Sequence, residues 1–273
     1  MSLGINVRGP EGLVFAAESR STVDWPAPDG PIHINFDATN KLLTFKEPHN
    51  FVGAVTYGLG GIGNRSAYSF VPEIEAELAL ESRMSVEEFS KRLSSFFMSQ
   101  WNKIPELKGY GGPPMIFITG GFNEGEPYGH AYEMFVPNKP EPNELPQFGI
   151  TWGGQADLVH RLIKGYDIKL VQQLAEAWSL TEDQVNSVPE IAEPLELIFP
   201  LAAMALQDYV DAAILLIRTT IEAQRLTAVI RGSGGPIDVA TITQRNGLQH
   251  VQQKEVMGEG GLFSSRSGFR RKC

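Results

Sequence analysis

Residues 1–18 read MSLGINVRGPEGLVFAAE, and the pattern within them is that of a tight β-hairpin. Ile5 and Val7 alternate with polar neighbours, Gly9-Pro10-Glu11-Gly12 has the composition of a turn, and Leu13-Val14-Phe15-Ala16-Ala17 runs back as a buried strand ending on Glu18. A hairpin of that register returns Glu18 to the side of Ser2, which stands sixteen residues earlier. Ser2 is a small residue behind Met1, so ordinary removal of the initiator methionine would leave it with a free α-amine. Such an amine has a pKa of about 8. It is therefore basic enough near neutrality to take the proton of its own hydroxyl.

Working outward from the hairpin, Gly12-Leu13-Val14-Phe15-Ala16-Ala17-Glu18-Ser19-Arg20-Ser21-Thr22 resembles the G-V-V-L-A-A-D-S-R-x-T signature of proteasome-type subunits, members of the N-terminal nucleophile hydrolases. The resemblance is to the 20S β-subunit-like branch, as a bacterial-type homologue. In its catalytic members a threonine stands sixteen residues ahead of the acid, and the same count back from Glu18 lands on Ser2 without a gap. Serine in place of threonine keeps a hydroxyl. The resemblance implies an α+β chain folded as a four-layer αββα sandwich, with two antiparallel sheets face to face.

The same resemblance carries site residues with it. Lys41 precedes the apolar run Leu42-Leu43-Thr44-Phe45 as the family's catalytic lysine precedes its strand, and it would be the partner that a buried Glu18 needs. Gly153-Gly154-Gln155 matches the family's Gly-Ser-Gly turn into a helix, where the Gly154 N–H would hold an oxyanion. Gly154 takes the place of a supporting serine. Ser233 opens Ser233-Gly234-Gly235-Pro236-Ile237-Asp238-Val239, which resembles the family's S-G-G-x-I-D-V segment. The aspartate expected three residues earlier is Ile230, a departure that argues against family-type proteolysis and leaves the fold untouched.

Composition bounds the partners. The 273 residues suffice for one sizeable core, and 42% hydrophobic with 20% charged residues describe a soluble globular protein. A net charge of −9 argues against nucleic acid and anionic membranes. No apolar run approaches the roughly 18 residues that span a bilayer, and no signal-peptide pattern opens the chain. One cysteine, Cys273, excludes an internal disulfide and fits a reducing cytoplasm. His33, His49, His130, His160 and His250 lack metal-ligand spacing, so neither metal nor cofactor is expected.

Along the chain, 23–31 reads as a polar stretch and 32–36, 41–45 and 52–57 as strands. Residues 64–80 read as a helix kinked or divided by Pro72, and 85–101 as a helix opened by the capping box Ser85-Val86-Glu87-Glu88. Strands are expected over 115–121 and 130–136, a proline-rich connector over 137–146, and a short strand over 148–152 before a helix from about Gln155. Helical periodicity covers 168–180 and 201–224, and 237–243 with 248–252 form a hairpin around Arg245-Asn246-Gly247. Residues 2–255 are expected to form the hydrolase-type domain, 166–200 a helical insertion, and 256–273 a flexible tail. Gly58-Leu59-Gly60-Gly61-Ile62-Gly63 satisfies the dinucleotide fingerprint, but two helices follow it before the next strand, so the βαβ continuation is missing. Two functions stay open. One is hydrolysis of a peptide or small amide by Ser2, and the other is a catalytically inactive subunit. The resemblance implies a homo-oligomer for either.

Overall fold

The computed structural model describes residues 2–229 and 231–256; the readings made at Ile230 and over 257–273 fall outside them. The opening hairpin is present, with β1 (Leu3–Gly9) and β2 (Gly12–Glu18) paired Ile5↔Ala16, Val7↔Val14 and Gly9↔Gly12. A second hairpin, β3 (Ser21–Trp25) and β4 (Ile32–Phe36), stands apart as its own two-stranded ribbon. Next come β5 (Leu42–Thr44) and β6 (Val52–Gly58), then the short pair β7 (Gly61–Ile62) and β8 (Arg65–Ser66). Helices α1 (Val71–Leu78) and α2 (Val86–Asn102) precede β9 (Met115–Gly121), β10 (His130–Val136), β11 (Lys139–Glu144) and β12 (Gly149–Gly154). The chain continues through α3 (Asp157–Lys164), α4 (Ile168–Trp178), α5 (Glu182–Ala192) and α6 (Leu206–Leu226) to β13 (Ile237–Thr243) and β14 (Gly247–Gln252).

Two antiparallel five-stranded sheets result, ordered β12-β1-β2-β13-β14 and β11-β10-β9-β6-β5. Strand alternation builds three apolar layers from them. Leu3, Ile5, Val7, Val14 and Ala16 point to α6 and α3, where they meet Val159, Tyr209, Ala213 and Leu216. The opposite faces of the same strands, through Leu13, Phe15 and Ala17, meet Val55, Tyr57 and Ile118 of the second sheet. The outer face of that sheet, with Ala54, Met115 and Phe117, packs on Phe89, Leu93 and Phe97 of α2. Helix, sheet, sheet, helix is the four-layer order expected of the sequence. Every residue of β1 and β2 is buried because both faces of these strands are covered.

Several local expectations change. Pro72 does not kink a helix; it lies in the first turn of α1, where its missing N–H has no intrahelical partner to lose. The glycines from Gly58 to Gly63 lead into the β7–β8 pair and a 3-10 turn, not directly into a helix. The stretch begun at Val23 is strand as far as Trp25, because Val23 and Trp25 pair with Ile34 and Ile32. Residues 137–146 are not merely a connector, since 139–144 form an edge strand. Pro140 and Pro142 are tolerated there because an edge strand leaves half its N–H groups unpaired, and the pairing is irregular between Glu133 and Phe135. Helix α6 starts at Leu206, not Leu201. No described helix is long and apolar enough to cross a membrane.

Candidate active site

Ser2 lies just ahead of β1 and is almost wholly buried. Its main chain is held on both sides. The Ser2 carbonyl accepts from the Gln155 N–H at 2.7 Å. The next amide, Leu3 N–H, donates to Glu18 Oε1 at 3.0 Å. The hairpin register makes the second contact, since Gly4 pairs with Ala17 and so brings the end of β2 beside the start of β1.

Glu18 is 1% exposed, and both its oxygens are occupied. Oε1 takes Leu3 N–H and the Lys41 ammonium. Oε2 takes Arg20 N–H at 2.7 Å and Gly234 N–H at 3.0 Å. Such charge-assisted bonds are what keep a carboxylate tolerable in an apolar interior. Lys41, immediately before β5, also donates to the Arg20 carbonyl at 2.5 Å. Burial pushes the Lys41 ammonium below the ordinary lysine pKa, Glu18 pulls it back up, and the nearby Lys254 ammonium pushes it further down. Lys254 is itself paired with the buried Asp238 of β13.

Gly154 ends β12 opposite Leu3, with φ +92°. A Cβ there would stand 1.6 Å from the Ser2 carbonyl oxygen. That contact leaves no room for the serine which the resemblance put at this position. Helix α3 begins at Asp157, two residues later than the expected start near Gln155, and the first amide after Gly154 is taken by Ser2 itself. Ser233 is buried, donates its N–H to Gln224 Oε1 at 2.9 Å, and has no hydrogen-bond partner for its hydroxyl. It joins the site through its neighbour Gly234, which holds Glu18. Ser2, Glu18, Lys41, Gly154 and Ser233 are thus gathered at one end of the sandwich.

Several residues there escaped the sequence reading. Gln224, in the last turn of α6, donates to Gln155 Oε1 at 2.8 Å while accepting from Ser233. Arg20 forks onto Asp37 at 2.6 and 2.7 Å and caps the Arg231 carbonyl at 2.9 Å. Arg20 belonged to the recognised motif and could have been flagged. Asp37, in the stretch between the second hairpin and Lys41, carried no signal, and Gln224 reads as an ordinary helix polar residue. A cleft of about 580 Å³ is lined among others by Gly154, Gln155, Leu158, Arg161 and Gln224. A larger hollow of about 790 Å³ lies between α2 and β11 and contains none of these groups.

No protein-family model and no curated protein matches this sequence. Solved structures do match. The chain is similar to an Anbu (Gly-1) mutant from Hyphomicrobium sp. strain MC1 at 13% identity and TM-score 0.54, covering 100% of both chains. It is similar to the Anbu complex from Pseudomonas aeruginosa, described as a helical assembly, at 14% identity and TM-score 0.56, with 97% of this chain and 91% of that one covered. Anbu from Yersinia bercovieri, described as an ancestral beta-subunit, matches at 13% identity and TM-score 0.52 over 92% and 88% of the two chains. These likenesses establish the fold as proteasome-like. They also correct the assignment drawn from the motif: the structures matched are Anbu proteins, a family distinct from the 20S β-type subunits to which 12–22 pointed. The signature misleads because it encodes the buried hairpin common to the fold, and that hairpin does not separate one proteasome-like branch from another.

Proposed function

We propose that this chain is an N-terminal nucleophile amide hydrolase in which Ser2, freed by removal of Met1, attacks a peptide or small amide. The observation that carries the reading is the two-sided clamp on the Ser2–Leu3 backbone, with Glu18 on one amide and Gln155 on the preceding carbonyl. A terminus used as a nucleophile must be held still, because an α-amine can serve as base only while it stays within reach of its own hydroxyl.

The chemistry runs in two halves. The neutral α-amine takes the Ser2 hydroxyl proton as Oγ adds to the substrate carbonyl carbon, giving an ammonium and a tetrahedral oxyanion. Collapse breaks the C–N bond, the ammonium proton goes to the departing amine, and an ester on Oγ remains. Water then adds to that ester as the α-amine takes its proton. The C–O bond to Oγ breaks, Oγ regains a proton, and a carboxylic acid leaves. Lys41, with its ammonium beside Glu18, keeps positive charge near the reacting end, which favours a neutral amine and a more acidic hydroxyl.

Self-association belongs to the same proposal, supported by the helical assembly of the Pseudomonas aeruginosa protein and by the apolar residues this chain leaves exposed. The competing reading is a catalytically inactive subunit. It is favoured by Gly154, whose site has no space for a supporting hydroxyl. Intact-mass spectrometry with and without a β-lactone acylating probe separates the two. A chain lacking Met1 that gains one probe mass on its N-terminal peptide, lost in Ser2→Ala, supports the hydrolase. A chain that keeps Met1, or that loses it and stays unlabelled, supports the inactive subunit.

A further inference from the structure

The geometry points to Gln224 as a positioning residue that fixes the Ser2 backbone from the far side of the site, acting through Gln155 and the loop of Ser233; this rests on the reading of Ser2 as nucleophile. The connection can be followed bond by bond. Gln224 Nε2 donates to Gln155 Oε1 at 2.8 Å, and the Gln155 main-chain N–H holds the Ser2 carbonyl at 2.7 Å. Gln224 Oε1 accepts from Ser233 N–H at 2.9 Å, and the following amide, Gly234 N–H, holds Glu18 Oε2 at 3.0 Å. Glu18 Oε1 closes the circuit on Leu3 N–H. The Ser2–Leu3 unit is therefore ringed by hydrogen bonds, and Gln224 ties the β12–α3 turn to the 231–236 loop.

Chemistry selects an amide for this place. The site asks one planar group to donate on one side and accept on the other, which glutamine does at any pH and ionised glutamate cannot. Packing agrees: Gln224 is buried, and a Cβ on Gly232 would fall within 2.4–2.5 Å of the Gln155 amide atoms. Glycine at 232 is what lets that amide lie flat under the loop.

The test compares wild type, Gln224→Leu and Gln224→Glu in the full-length chain. The β-lactone labelling rate of Ser2 is followed over a pH series, and hydrogen exchange at Gln155 and Leu3 is followed alongside. Loss of positioning in Gln224→Leu should slow labelling by about tenfold to a hundredfold, the range expected when a reacting group shifts by about 1 Å. Exchange at the Gln155 amide should rise while Leu3, held by Glu18, stays protected, which separates a local loss from unfolding. Gln224→Glu should label close to wild type where the carboxyl is protonated and can donate, and fall toward the leucine variant as it ionises. Equal labelling in all three chains, or equal pH profiles for wild type and Gln224→Glu, overturns the inference. If the wild-type chain takes no label, the nucleophile reading fails by itself. The positioning inference then stands or falls on whether Gln224→Leu exposes the Gln155 amide.

Discussion

Glu18 and Lys41 form a buried ion pair in which the carboxylate also receives three main-chain N–H groups. Removing one member leaves the other charged and uncompensated, which costs about 3–5 kcal/mol in comparable settings. Lys41→Met should therefore lower the unfolding free energy by about that amount in urea titration. The double variant with Glu18→Gln should be less damaged than the two single losses summed, because they share one interaction. Gly154 is the other residue on which the site turns. Alanine there would carry a Cβ into the Ser2 carbonyl at a backbone angle that side chains avoid. Gly154→Ala should cost about 3 kcal/mol, and the loss should be accompanied by faster exchange at the Gln155 amide, measurable by mass spectrometry. Glu18, Lys41 and Gly154 were all named from the sequence before any fold was known. What could not be read was that Gly154 must be glycine because a carbonyl, not a solvent-filled turn, lies against it.

At the scale of elements, β10 and β11 show how pattern and packing divide the work. The alternation of 130–136 marked a strand outright, whereas Lys139–Glu144 contains two prolines and reads as a connector. An edge position admits them, and edge positions are assigned by sheet order, which local sequence does not encode. His130 sits where these strands meet the 122–129 loop, between Glu126 and Glu144. Burial alone would lower its pKa, but the two carboxylates outweigh it and raise the imidazole above its ordinary 6.5. A raised native pKa means the folded chain holds the proton more tightly than the unfolded one. The stabilisation is complete below the unfolded value and fades as pH rises through the native one. Relative to His130→Gln, wild type should thus be favoured on the acid side by less than about 1 kcal/mol, since the group is partly solvated. Thermal melts across that window measure it, and a gap that stays constant with pH would remove the assignment.

For the molecule as a whole, the surface that remains uncovered is as informative as the core. On the β3–β4 ribbon Val23, Trp25, Ile32, Ile34 and Phe36 share one exposed face, while Thr22, Asp24, His33 and Asn35 share the other. A two-stranded ribbon is marginal by itself, and a contiguous apolar face of this kind marks a contact surface. Helices α4 and α5 and the segment after them present a second such region, with Leu170, Trp178, Ile191 and Ile198 exposed. Two unlike patches favour head-to-tail association over a two-fold dimer. Sedimentation should accordingly find the wild-type chain associated. Trp25→Ser with Ile34→Ser should shift it toward monomer without changing its circular dichroism. A wild-type chain that sediments as a monomer at all concentrations would refute this.

The amino-acid order alone determined the hairpin of 1–18, the buried strands and the capped helix α2, because each of these follows from periodicity and short-range turn chemistry, while the αββα layering was implied by the resemblance that 12–22 carries. It also brought Ser2, Glu18 and Lys41 into one proposal, since a hairpin register and a motif are local facts. Which proteasome-like branch the fold resembles, the place of β11 at a sheet edge, and the ring of bonds from Gln155 through Gln224 to Ser233 were decided only in three dimensions. Gln155 and Gln224 lie 69 positions apart, and Gly234 lies 216 from Glu18. Contacts at such separations leave no periodic trace in the chain; they exist because two sheets and their covering helices close on one another.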